Sequence, residues 1–189
     1  ASIAPVGGTK PVFGTNPVAF AVPRSGEDPL VLDQSSSVIA KSEIVVHQQR
    51  GQKIPLGWAL DRNGNPTDDP AAALDGGTMV PSGGHKGAGL ALIVELFAAW
   101  ITGANLSIDA SSFADNAGGS PRTGQFFIAV DPGPLAGPDA AARLAHLFAA
   151  IVEQEGARLP GSRRAAARRQ TADAGVRIPT ILKDRLDTI

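Results

Sequence analysis

Residues 81–103 read PSGGHKGAGLALIVELFAAWITG, and this stretch decides the architecture. From Lys86 to Thr102 almost every residue is apolar, and Gly103 stands where a helix-ending glycine belongs. A helix that is apolar all round needs cover on every side, so the stretch predicts a buried central helix. Its apolar run, Ala88–Ile101, falls short of the ~20 residues a membrane span requires, and Glu95 interrupts it. Glu95 itself needs a partner, a proton or a surface, because an isolated buried charge is very costly. Gly87 and Gly89 permit close approach at the helix start, either of neighbouring backbone or of a ligand. Ser82-Gly83-Gly84-His85-Lys86-Gly87 places free N–H groups and a lysine there. That arrangement suits an anion, and the alternative is a tight turn whose His85 and Lys86 are solvated.

Downstream, residues 105–124 read as a polar loop and Gln125–Val130 as a strand, stopped by Asp131-Pro132-Gly133-Pro134. An amphipathic helix is predicted over 139–155, with Leu144, Leu147, Phe148, Ile151 and Val152 on one face. Leu159-Pro160-Gly161 then leads into an arginine-rich helix that Ser162 is placed to cap. A short apolar stretch, Val176–Ile178, and a last helix with Ile181, Leu182 and Leu186 follow. Upstream, residues 1–17 carry turn chemistry, and strands are predicted at Val18–Val22 and Leu30–Leu32 around an Arg24–Pro29 turn. Ser35-Ser36-Ser37 offers hydroxyl caps for a helix to about Arg50, closed by Gly51. Trp58–Leu60 reads as a strand, residues 61–66 as a tight turn and Ala71–Leu74 as a helical turn. Interleaved strands and helices make this a loop-rich α/β chain, and nothing in it marks a division into domains.

Composition narrows the function. A 43% hydrophobic content over 189 residues supports a real core, and 22 glycines and 15 prolines fall in clusters between apolar runs. A net charge of −1 provides no field for nucleic acid or an anionic membrane. The absence of cysteine removes disulfides, thiol nucleophiles and thiolate metal sites, and leans the expectation toward the cytoplasm. His47, His85 and His146 lack ligand spacing, so no metal site is expected, and the N-terminus lacks the features of a signal peptide.

No dinucleotide fingerprint, Walker loop or nucleophile elbow is present. Besides the glycine loop, two segments offer chemistry. Arg158-Leu159-Pro160-Gly161-Ser162-Arg163-Arg164 supplies guanidinium forks suited to phosphate, or else a solvated basic face. Phe13-Gly14-Thr15-Asn16-Pro17 holds a hydroxyl and an amide on a rigid turn, for a small substrate or for structure alone. Glu43, beside Ile44, Val45 and Val46, reads on its own as a solvent-facing carboxylate, and His47 and His146 as helix-surface or boundary residues.

Taken in order, these segments resemble one family. Residues 10–17 (KPVFGTNP), 32–40 (LDQSSSVIA), 54–59 (IPLGWA), 64–67 (GNPT), 74–77 (LDGG), 81–87 (PSGGHKG), 94–96 (VEL) and 158–161 (RLPG) look like the type-2 malate/L-lactate dehydrogenases. The resemblance extends over nearly the whole chain. It implies a non-Rossmann α/β NAD(P)-binding fold with a mixed sheet and a buried central helix, usually dimeric. It assigns Thr15 to substrate, and Asp33, Gln34, Ser35, His85, Lys86 and Arg158 through Arg164 to the cofactor, NADPH or NADH.

Where this chain has Glu43, the family's cyclic imine reductases carry an aspartate that orients the catalytic histidine. A carboxylate behind an imidazole favours its charged form, which suits a proton donor to an imine nitrogen. The expected activity is therefore reduction of pyrroline-2-carboxylate or piperideine-2-carboxylate. A 2-hydroxyacid dehydrogenase (lactate, malate or ureidoglycolate type) and a non-catalytic nucleotide-binding remnant are the alternatives. The family's catalytic histidine lies upstream of the segments matched here. The whole of 1–189 is accordingly expected to be one cofactor-binding region that works with a complementary N-terminal polypeptide, a split, processed or truncated arrangement.

Overall fold

The computed structural model describes residues 1–113 and 117–188, the side chain of Ile181 excepted, and these residues cluster into two compact units. Unit 1 comprises Ala1–Ala19 and Asp33–Val130, and unit 2 comprises Phe20–Leu32 with the chain from Asp131 onward.

Strands β1 (Val18–Arg24) and β2 (Glu27–Gln34) pair as a two-stranded ribbon. Both are longer than predicted, and the turn shrinks from Arg24–Pro29 to Ser25-Gly26, where Gly26 takes a φ of 71°. Each strand of a two-stranded ribbon has one free edge, so Pro23 and Pro29 can be accommodated without breaking the ladder. An Arg24–Glu27 ion pair closes the turn.

In unit 1, helix α1 spans Lys41–Gln49, shorter at its start than the serine run predicts. Its N-cap is Ala40 with no side-chain bond. The serine hydroxyls are engaged elsewhere: Ser36 Oγ donates to the Asn16 carbonyl (2.8 Å) and Ser37 Oγ to that of Ile39 (2.6 Å). Gly51, with φ 62°, ends the helix as expected.

Strands β3 (Ala59–Leu60), β4 (Pro66–Thr67) and β5 (Thr78–Met79) form an antiparallel sheet in the order β4-β3-β5. Ala59 lies opposite Thr67 on one side and Met79 on the other. A parallel bridge from Ile3 to Met79 and an antiparallel one to Phe13 make the pairing mixed. The β3–β4 turn is built on Asp61, whose carboxylate accepts from the N–H groups of Asn63 and Asn65. Between β4 and β5, helix α2 (Pro70–Leu74) starts on an Asp69 cap that accepts from the Ala71 N–H. Ile3, Phe13, Ile44, Ile54, Ala59 and Met79 pack into the core, against which Trp58 is partly buried.

The apolar stretch becomes α3 (His85–Val94) followed by a π-helical segment, Glu95–Trp100. The expectation of cover on every side fails. Gly87, Ala88, Ala91 and Ala99 are buried, whereas Leu92, Phe97 and Ile101 are exposed and Trp100 is 68% exposed. Small residues let one face pack closely, and the described chain supplies no second layer for the bulky face. Gln125–Val130 is not a strand, because among the described residues no strand pairs with it. Residues 105–113 and 117–124 are loop as expected, and 114–116 lie outside the described residues.

Unit 2 carries α4 (Gly133–Ala136), where the sequence suggested only a turn, then α5 (Ala140–Val152), α6 (Ser162–Ala174) and α7 (Thr180–Leu186). Of the predicted α5 face, Phe148 is buried, Leu144 and Ile151 are half-buried, and Leu147 and Val152 are exposed. The Arg24 guanidinium sits 5.2 Å from the Phe148 ring centroid. Ser162 does not cap α6. Gly161, with φ 83°, is the N-cap and Ser162 the first helical residue, because Gly161 is pressed against Val31, whose carbonyl a β-carbon would meet at 2.9 Å. In α7, Leu182 and Leu186 are exposed, and the Ile181 side chain lies outside the described set. No helix among the described residues is long and apolar enough to cross a membrane.

Candidate functional site

Three segments that stand far apart in the sequence meet at Ser36. Its N–H donates to the Thr15 carbonyl (2.8 Å), its hydroxyl to the Asn16 carbonyl (2.8 Å), and its own carbonyl accepts from the Ser82 N–H (2.9 Å). The Ser37–Pro81 bridge and the Val38 N–H to Val80 carbonyl bond continue the seam. The turn bearing Thr15, the Asp33–Ser35 segment and the glycine loop thus form one bonded surface in unit 1. Thr15 is half-buried on it, Asp33 and Gln34 are exposed, and the half-buried Ser35 hydroxyl lies 2.9 Å from that of Ser37.

Gly87 makes this surface possible. A β-carbon there would stand 2.4 Å from the Ser82 carbonyl and 2.7 Å from that of Ser36. Of the two readings of the helix glycines, Gly87 serves backbone packing, while Gly89 has nothing within 4 Å and leaves room for a ligand. Gly83 and Gly84 turn the chain with φ of 60° and 62°, and His85 and Lys86 stand exposed on the first turn of α3. Among the described residues no backbone carbonyl accepts from the His85 N–H. An anion meets free N–H and ammonium donors here.

The Thr15 turn is fixed from beneath by a polar cluster that sequence reading did not assemble. Asn16 is buried with φ 39°, and its amide donates to the Ala91 carbonyl and to Glu95 Oε2, each at 2.8 Å. Ser107 donates to the same carboxylate through its N–H and, at 2.7 Å, its hydroxyl. Glu95 therefore has the partners that its place in an apolar helix demanded. That demand was the legible signal; the identity of the partners was not.

Glu43 lies on α1 with its side chain 47% exposed, Oε1 3.7 Å from His47 Nδ1. The imidazole's nearer partner is the Glu43 carbonyl, 2.9 Å from Nδ1, and its ring meets Trp58 edge-on at 5.4 Å. The Glu43 carboxylate is thus only loosely engaged by its own helix.

In unit 2 the segment 157–162 lines a cleft of about 390 Å³ together with Arg24 at the end of β1, residues 27–30 of β2, and α6. Arg158, Pro160, Gly161 and Ser162 reach it, over a buried Leu159. Arg163 and Arg164 are not part of its lining, so the arginine run does not act there as a single clamp. Arg24 and Arg169 also line the cleft, paired with Glu27 and Asp28. Arg158 has no ion pair among the described residues. Nor is any cluster of three His, Asp or Glu side chains among them placed to hold a metal.

The sequence profile of the malate/L-lactate dehydrogenases matches residues 1–187. Over 98% of its length the chain is 45% identical to the (2R)-3-sulfolactate dehydrogenase (NADP(+)) of Chromohalobacter salexigens, covering 55% of that protein. It is 46% identical, over 97% of its length, to the Delta(1)-pyrroline-2-carboxylate/Delta(1)-piperideine-2-carboxylate reductase of Pseudomonas aeruginosa, covering 55% of it. Among solved structures, the delta1-piperideine-2-carboxylate reductase of Pseudomonas syringae pvar. tomato superposes with a TM-score of 0.85 at 39% identity. The match covers 98% of this chain and 56% of that one. The α/β fold is shared, and the chain spans just over half the length of its curated relatives.

Proposed function

The chain belongs to the malate/L-lactate dehydrogenase family, and on that premise we propose that it is the cofactor-binding portion of an NAD(P)H-dependent reductase of small cyclic imine carboxylates. The observation that carries this reading is Ser36, whose three hydrogen bonds join the Thr15 turn, the Asp33–Ser35 segment and the glycine loop. Similarity to two pyrroline- and piperideine-2-carboxylate reductases supplies the substrate class.

The residues present fit a dinucleotide: turn glycines of positive φ open a ten-residue helix beside an exposed lysine, and a separate cleft carries Arg158, which has no ion pair among the described residues. Within unit 1, Asp33, Gln34, Ser35, His85 and Lys86 serve the cofactor. Within unit 2, Arg158 through Ser162 do so from the cleft, and Arg163 and Arg164 from outside its lining. The bound nicotinamide supplies a hydride to C2 of the imine, and a proton reaches the ring nitrogen. Thr15 contacts the substrate from a turn that Asn16 and Ser36 hold rigid. Glu43 orients the proton-donating imidazole, which comes from the portion of the family chain that this sequence does not span. The assembled enzyme is a dimer that works in the cytoplasm, and the arginines favour NADPH through its 2′-phosphate.

Turnover of pyrroline-2-carboxylate, piperideine-2-carboxylate and pyruvate, read by nicotinamide absorbance, tests this. The imines are reduced when the complementary portion is present, and the 189-residue chain alone is slower by about 10²–10⁴ for lack of its general acid. Full turnover by the chain alone, or a preference for pyruvate, defeats the proposal. A second reading, oxidation of a 2-hydroxyacid, is favoured by the 45% identity to the sulfolactate dehydrogenase beside 46% to the reductase, so sulfolactate belongs in the same panel.

A further inference from the structure

In the unit 2 cleft one ion pair joins two walls. Ser162, Ala165 and Arg169 recur at intervals of three and four, so they share one face of α6, and all three line the cleft. Asp28, on β2, receives the Arg169 guanidinium, 141 residues away in sequence. The same two side chains line a second, more open hollow with Gly26 and Glu27, so the pair stands where the two spaces meet. The cleft's other pair is built differently. Arg24 holds Glu27 three residues on, and its side chain, 23% exposed, is seated against the Phe148 ring. Arg169 and Asp28 are 66% and 53% exposed, and an exposed pair of this kind holds its partners only weakly.

The two groups of that weak pair respond in opposite ways to a ribose. A guanidinium makes paired, charge-assisted bonds to a 2′-phosphate. A carboxylate accepts from the free ribose hydroxyls and repels a phosphate. We propose that the Asp28–Arg169 pair is the coenzyme selector of this chain. A 2′-phosphate draws Arg169 off Asp28, whereas an unphosphorylated ribose hydrogen-bonds Asp28 and leaves the pair closed. Both coenzymes enter, and the contest between the two side chains sets their ratio. Neither residue belongs to the segments by which the chain resembles its family. The inference rests on the reading of this cleft as a cofactor site, but concerns which ribose the cleft takes and not what is reduced.

The test titrates the 189-residue chain with 2′,5′-ADP and with 5′-ADP in a calorimeter at low salt, so that neither nicotinamide nor imine enters the measurement. Arg169→Gln weakens 2′,5′-ADP by about tenfold and changes 5′-ADP by less than about twofold. Asp28→Asn strengthens 2′,5′-ADP by about threefold and weakens 5′-ADP by about as much. Lys183→Ala removes the same charge from α7, where Lys183 pairs with Asp187 away from the cleft lining, and leaves the ratio of the two affinities unchanged. Arg169, Asp28 and Lys183 are all exposed, so folding is not at stake. The proposal is overturned if neither nucleotide binds, if Arg169→Gln and Asp28→Asn shift the ratio in the same direction or not at all, or if Lys183→Ala shifts it as far as Arg169→Gln. Opposed shifts in a protein that reduces neither imine in the turnover panel refute the reductase reading and leave the selector standing. Imine reduction whose NADPH-to-NADH preference neither variant moves does the reverse.

Discussion

Gly87 and Gly89 lie two residues apart on one helix, and their alanine variants should move stability in opposite directions. At Gly87 a β-carbon would stand 2.4 Å from the Ser82 carbonyl, 2.5 Å from its nitrogen and 2.7 Å from the Ser36 carbonyl. Ordinary contact begins at 3.4 Å, and all three atoms are backbone. No side chain can swing aside, so either α3 shifts or the Ser36 seam opens. Overpacking of this kind costs about 3 kcal/mol, which for a chain of this size lowers Tm by roughly 6–12 °C. Gly89 has open space around it, and alanine there removes the helix-interior glycine penalty of about 0.8–1 kcal/mol, raising Tm by roughly 2–4 °C. Both tryptophans, Trp58 and Trp100, lie in unit 1, so intrinsic fluorescence follows the unit that holds both glycines. A Gly87→Ala melt within about 2 °C of wild type, or a Gly89→Ala loss matching that of Gly87→Ala, would refute the packing argument.

Asn16→Ala should cost about 2–4 kcal/mol in urea unfolding, since it strips the amide from Glu95 and leaves at φ 39° a residue that tolerates the left-handed region less well than asparagine. Asn16→Gly should recover about 1 kcal/mol of that, because only the backbone part is relieved. The N–H groups of Asn65, with help from Asn63 and Gly64, hold the Asp61 carboxyl below its usual 3.8. Its contribution is full above that pH and fades as pH falls through the lower folded-state value, so Asp61→Asn should flatten the acid limb of a Tm–pH profile. An unchanged acid limb would show that the turn does not depend on the charge. Arg158→Ala should weaken NADPH binding by about tenfold and lessen its salt dependence, while Arg163→Ala, which serves the cofactor from outside the cleft lining, weakens it by only about threefold. Equal effects in calorimetric titrations would show that the cleft does not set the contact.

Signals confined to a few neighbouring residues were the legible ones. Gly51 ended α1, Asp61 and Gly64 made the β3–β4 turn, and the glycine loop opened α3 where expected. The misreadings share a cause: each feature depended on a partner distant in sequence. Three consecutive serines offer identical hydroxyls, and only the Asn16 carbonyl, twenty residues upstream, makes Ser36 a seam instead of a cap. Glu95 announced that it needed donors, but Asn16 and Ser107 are 79 and 12 residues away. The candidate site was therefore readable as three separate motifs and not as one surface.

The same logic bears on the two apolar features that failed as predicted. An all-apolar helix and the pattern QFFIAV are statements of demand: they specify surface that water should not touch and backbone that should find a partner. Neither says which residues will meet that demand. The small side chains of α3 are met from within unit 1, by Asn16 at the Ala91 carbonyl and by Ser36 and Ser82 at Gly87. Its large side chains stay largely exposed apart from the contact of Phe97 with Phe126, and among the described residues the amides of 125–130 find no backbone partner. A strand prediction that fails in an apolar, β-forming segment is thus informative, because the propensity was sound and the missing term is the neighbour.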